Sequence, residues 1–186
     1  MKQLTFALIA AVISFTACVP ILHPIYTAKD LVEEPELVGL WKQVNDPKEI
    51  WSFIDAGDKS YHVVHVAGGG TTSAYLGHLA RIGDNLFLDL YPDVKGFAGD
   101  GAYREHFVPA HTILLVSQMT PRVKISALND DWMKSSVKTG GGEIRHEIVG
   151  DRVVLTASTE ELQTFFRKIP ADSKAFSVFA ELTRLR

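Results

Sequence analysis

Residues 49–66 read Glu-Ile-Trp-Ser-Phe-Ile-Asp-Ala-Gly-Asp-Lys-Ser-Tyr-His-Val-Val-His-Val, and this stretch decides the fold class. Two runs rich in aromatic and β-branched residues flank Asp55-Ala-Gly-Asp58. A glycine between such runs supplies the positive φ that a tight hairpin turn needs. The same Gly-Asp pair recurs at 83–84, between Thr72–Ile82 and Leu86–Tyr91. It recurs again at 150–151, between Glu143–Val149 and Arg152–Ala157. Three such turns predict sequential antiparallel pairing. His111–Met119, interrupted by Pro121 and resumed at Arg122–Leu128, adds two more runs. The expected fold is mainly β. It is an antiparallel up-and-down meander of about eight to ten strands, closed or nearly closed into a barrel, because closure removes exposed sheet edges.

Two helices interrupt this pattern late in the chain. Asn129 to Lys138 reads as a short one, with Asn129 or Asp130 as N-cap. Ser158-Thr-Glu-Glu161 is a capping box, in which Ser158 and Glu161 each satisfy an orphan backbone donor. Leu162, Phe165, Phe166 and Ile169 then fall on one helical stripe, and Pro170 ends it. That stripe is expected to pack on the open face or mouth of the sheet. Phe176 to Leu185 reads as a final strand, although its spacing also allows a helix. Gly68–Gly70 and Gly140–Gly142 read as loops. Neither precedes a helix carrying Lys-Ser/Thr, so neither is a phosphate loop.

The chain has 186 residues, 46% hydrophobic and 22% charged, which suits a leader and one domain. Its formal net charge of -3 disfavours a non-specific nucleic-acid binder, which needs a basic surplus. One cysteine excludes an intrachain disulfide. Lys2 followed by the apolar run Leu4–Phe15 has the layout of a secretory signal peptide over residues 1–17. The run is shorter than the ~20 residues that span a bilayer. Cys18 to about Glu36, with Pro20, Pro24, Pro35 and the acids Glu33, Glu34 and Glu36, reads as a tether without regular structure. Residues 37–186 are the expected β domain.

Phe15-Thr16-Ala17-Cys18 resembles the lipobox of bacterial lipoproteins. The resemblance implies that Cys18 is acylated, with palmitate-type chains, and becomes the first mature residue. It implies a partner, the membrane, reached through a lipid anchor rather than a spanning helix. Val19-Pro20 stands where the family's inner-membrane members carry Asp, which implies the outer membrane, facing the periplasm. Gly39-Leu40-Trp41 resembles the Gly-x-Trp opening of lipocalins and lipocalin-like lipoproteins. There the Trp plugs the barrel base, so the resemblance implies a calycin-type barrel over about residues 37–186, with room for a small apolar ligand or only for its own side chains.

The residues that carry chemistry are few. Of seven histidines, His62 and His65 fall on opposite faces of one strand and cannot share a metal there. No Cys pair or His-Glu-x-x-His points to a metal, no motif asks for a cofactor, and no Gly-x-Ser-x-Gly supplies a nucleophile. Asp89, set within Leu86-Phe-Leu-Asp-Leu-Tyr91, is costly to bury unless paired. Alternation puts Phe87, Asp89 and Tyr91 on one face. Three readings stand: Asp89 faces solvent at a strand end; Asp89, His78 and His111 converge in a pocket; or Asp89 joins a structural network, for instance with Arg81. Trp41, Trp51 and Trp132 are either core or the lining of a ligand site. The functional expectation is a membrane-anchored envelope lipoprotein that binds a small apolar ligand or serves a structural role. The alternatives are an envelope enzyme built on His78, Asp89 and His111, and an assembly partner using an exposed sheet edge.

Overall fold

The computed structural model describes residues 18–94, 101, 105–140 and 144–185. The predicted leader over residues 1–17 and Gly141–Gly142 of the second glycine run therefore lie outside the described residues. Eleven strands are described. They are β1 (Leu31–Val32), β2 (Gly39–Gln43), β3 (Ile50–Gly57), β4 (Ser60–Val66), β5 (Thr72–Ile82), β6 (Asn85–Pro92), β7 (Thr112–Gln118), β8 (Val123–Leu128), β9 (His146–Val149), β10 (Arg152–Leu155) and β11 (Phe176–Arg184). Helix α1 spans Asp130–Lys138 and α2 spans Thr159–Arg167. Strands β2 to β8 pair in sequence order, and β11 lies between β8 and β2. This closes an antiparallel eight-stranded up-and-down barrel. The last apolar segment is thus a strand, and it is the one that completes the ring.

All three Gly-Asp pairs form hairpin turns, with Gly57, Gly83 and Gly150 at positive φ. They join β3 to β4, β5 to β6 and β9 to β10. Inward residues fill the barrel. Trp41, Trp51, Phe53, Tyr61, Leu88 and Leu114 are none more than 3% exposed. The fit is close: a Cβ on Gly77, which faces inward, would sit 2.8 Å from Val63 and 3.3 Å from Leu90. At one end Trp41 donates its indole N–H to Leu37 O at 2.8 Å, and the Arg184 guanidinium lies 4.5 Å from its ring centroid.

A second core lies outside the barrel. Between β8 and β11 the chain inserts α1, the β9–β10 hairpin and α2, and these cover the outer wall of β5 to β8. Asn129 caps α1 by accepting from Trp132 N–H, and the Ser158/Glu161 capping box of α2 is formed. The apolar stripe of α2 is buried at Leu162, Phe166 and Ile169 and half-buried at Phe165. It docks on the outer wall rather than at the mouth: the Phe166 ring meets Phe87 of β6 edge-on at 5.3 Å.

Residues 18–36 are not the spacer that their prolines predict. Val19, Ile21 and Ile25 are buried in this outer core. Ile21 bridges His111 and Leu155, and β1 pairs with β5 beyond the end of β4. The prolines forbid a long regular element, but the apolar residues between them still demand burial. Tertiary docking answers that demand.

Candidate functional site

Asp89 faces outward on β6, as alternation predicts, yet it is only 1% exposed. The N-terminal segment lies over it, so the reading of Asp89 as a solvated strand-end acid is corrected. One carboxylate oxygen accepts from Ile25 N–H at 3.0 Å. The other is 2.6 Å from His111 Nδ1. His78 stands directly opposite Asp89 in the β5–β6 register. Its Nδ1 is 2.9 Å from the Tyr26 hydroxyl, and the two rings lie 4.6 Å apart, tilted by 32°. Tyr91, two residues beyond Asp89 on the same face, packs its ring against His111 at 4.7 Å, tilted by 44°. Asp89, His78 and His111 therefore come together on the barrel's outer wall, beneath residues 21–26. Arg81 has no bond to Asp89 among the described residues.

Two electrostatic shifts follow from this burial. Desolvation and the Asp89 charge push the Tyr26 phenol up to about 12. Burial lowers the His78 pKa; the nearby Asp89 acts in the opposite direction, and His111 adds to the lowering. At neutral pH the pair is thus a protonated phenol against a neutral imidazole. An Asp–His pair can fix an imidazole's orientation and support a general base. Among the described residues no hydroxyl or thiol nucleophile is hydrogen-bonded to His111, and no group of three or more His, Cys, Asp and Glu side chains is placed to hold a metal ion.

What the cluster visibly does is hold the segment after Cys18 in place. Ile21 and His111 exchange backbone hydrogen bonds of 3.2 and 2.7 Å. Gln163 of α2, itself buried, donates to Ile25 O and to Asp30, both at 2.9 Å. Thr159 donates to Pro24 O at 2.8 Å. Burial opposes the Asp30 charge, but hydrogen bonds from Thr27 and Gln163 outweigh it and hold that carboxyl below its usual range.

The other singled-out residues sit elsewhere. Trp51 belongs to the filled interior, with its N–H donated to Glu49 at 3.1 Å and its ring against His65. Trp41 is core as well, and its edge contributes to a cleft of about 470 Å³ at the barrel end with Glu36, Met119 and Arg184. His62 faces outward and is exposed, whereas His65 faces inward. Trp132 is half-buried against α2, its ring 6.5 Å from Phe165.

Cys18 is half-buried. Burial pushes its thiol up, against the opposing charge of Arg152. Sequence reasoning missed Tyr26, Ile25 and Gln163 as members of the cluster, because it placed the first two on a tether and Gln163 outside the apolar stripe of α2. Among the described residues no helix is long and apolar enough to cross a membrane. In comparisons with known proteins, no family model, curated protein or solved structure matches this chain.

Proposed function

We propose that the protein is a cell-envelope lipoprotein, acylated at Cys18 after removal of residues 1–17, whose barrel is a structural module rather than a carrier. The site of action would be the outer membrane, on its periplasmic face. The observation that carries the structural role is the filled barrel interior. Among the described residues, bulky inward side chains such as Trp41, Trp51, Phe53 and Tyr61 pack closely where a lipid carrier needs an apolar chamber. The polar cluster on the outer wall fits the same reading, since each hydrogen bond it makes to residues 21–26 fastens the anchor-proximal chain to the barrel.

The experiment is to express the full chain, recover it from membranes and determine its intact mass. Loss of residues 1–17 with acyl mass on Cys18 supports the anchor, and a Cys18→Ser chain should move to the soluble fraction. An unmodified cysteine in a membrane-bound chain refutes it. Titration with a fluorescent fatty acid should show no saturable one-to-one binding; saturable binding would refute the structural role and favour the carrier. A second reading, an envelope hydrolase with His111 as base, is favoured by the 2.6 Å Asp89–His111 pair. It requires that a stably folded His111→Ala chain lose an activity the parent possesses.

A further inference from the structure

We propose that the β9–β10 hairpin, through Ile148 and Val149 beside its turn, is a second membrane contact that enters the bilayer next to the acylated Cys18. This rests on the anchor reading above. Residues 18–22 run parallel to β10: Leu22 N–H donates to Leu155 O and Leu155 N–H donates to Pro20 O, each at 2.9 Å. The same register brings Cys18 beside Arg152, whose guanidinium donates to the Cys18 carbonyl at 3.3 Å. Arg152 pairs with Val149 across the hairpin, and Val153 pairs with Ile148. Acyl chains on Cys18 would therefore leave the protein at the turn end of this hairpin.

Two apolar side chains at that end are uncovered, beside the exposed Glu147, Asp151 and Arg152. Ile148 and Val149 are each 63% exposed. At the sister turn between β5 and β6 the residue before the Gly-Asp pair, Ile82, is 1% exposed. Ile148 also borders a cleft of about 350 Å³ with Val137, Val153, Lys134, Lys138 and Asp151. Lysine stems can lie along apolar surface while their ammonium groups stay in water.

Local charge does not carry the contact. Lys134 is ion-paired with Asp130 at 2.6 Å and feels Asp151 as well. The contact is hydrophobic, and its occupant is the bilayer because Cys18 fixes the acyl chains beside it. Shallow insertion of such a tip would set the orientation of a barrel that the lipid alone leaves free to tumble.

The test uses the full chain, acylated in cells and reconstituted into phosphatidylethanolamine/phosphatidylglycerol vesicles containing brominated acyl chains. Acylation blocks Cys18, so one new cysteine at a time, Val149→Cys or Ile54→Cys, carries a bimane label. Ile54, 51% exposed on β3, reports on the opposite wall. The expected result is a blue shift and bromine quenching at 149 and neither at 54. If intact mass shows acylated Cys18 but the label at 149 is unquenched, the inference falls and the anchor stands; this includes the case in which 149 is protected only by a partner protein in cells. Quenching at 54 instead overturns it in favour of the bare barrel wall. An unacylated Cys18 removes both.

Discussion

The two halves of the barrel wall are built to different rules. Strands β6 and β7 are buried on both faces: Leu88 and Leu114 point in, while Phe87 and Leu115 point out into a second core, all at 1% exposure or less. Strands β2, β3 and β4 are buried on one face only. Trp51 and Phe53 point inward, but Leu40 and Ile54 are about half exposed on the outside. The difference teaches that a barrel strand's sequence records what lies on each side of it. Two-sided burial writes a continuous apolar run, and one-sided burial writes alternation. A buried carboxylate at Asp89 is tolerable only on the doubly covered half, where a backbone N–H and an imidazole meet it.

The sharpest way to break this comparison is to truncate one apolar residue on each half. Phe166→Ala should cost about 3–5 kcal/mol, because its ring is fully enclosed between α2 and β6. Asp89→Ala comes next, at about 3 kcal/mol or more, since it strands the buried His111 and Ile25 N–H without their acceptor. Asp89→Asn should recover part of this by keeping the bond from Ile25. Gly77→Ala tests whether the interior is as full as the wall is thick. Overpacking against Val63 and Leu90 should cost about 1–3 kcal/mol, and a neutral result would reveal slack inside. Ile54→Ala on the bare half should change stability by less than about 0.5 kcal/mol. Urea denaturation measures all five variants, and an Ile54→Ala loss as large as that of Phe166→Ala would erase the distinction between the walls.

A further measurement concerns the covered half alone. His78 has a lowered pKa in the folded protein, so the unfolded chain takes up its proton first as pH falls. Its contribution is present in full above the unfolded value of roughly 6.5 and is lost as pH drops through the folded one. Midpoints of denaturation should therefore decline over that window in the parent and decline less in His78→Gln. For Tyr26 the sign reverses: stability should fall as pH rises from about 10 towards about 12.

Much of this was legible in the sequence, and the reasons differ by residue. The Gly-Asp turns, the capping box at Ser158 and the stripe of α2 are local signals, so they could be placed without knowing the fold. That Asp89, His78 and His111 meet was legible only as one alternative among three. It depends on the register of β5 against β6 and on the bridge from Ile21 to His111, which no local pattern encodes. The packing of residues 18–36 is hidden in the sequence for the opposite reason. Prolines and acids dominate their composition, while the few residues that decide the outcome, Val19, Ile21 and Ile25, are too sparse to form a periodic signal. Tyr26 and Ile25 join the site only through the docking of that segment.

The position of β11 has a consequence for how the chain acquires its shape. Its partners are β8, the preceding barrel strand, and β2, where Leu182 aligns with Gln43. During synthesis the ring stays open until residues 176–184 emerge, long after β2 has been made. The seven earlier strands must wait with two unpaired edges, β2 and β8, exposed to any chain nearby. Contacts so distant in sequence form slowly, and the waiting species is the one prone to aggregation. The insertion between β8 and β11 emerges in that interval, and its docking onto the outer wall would bring the final strand to the gap it must fill.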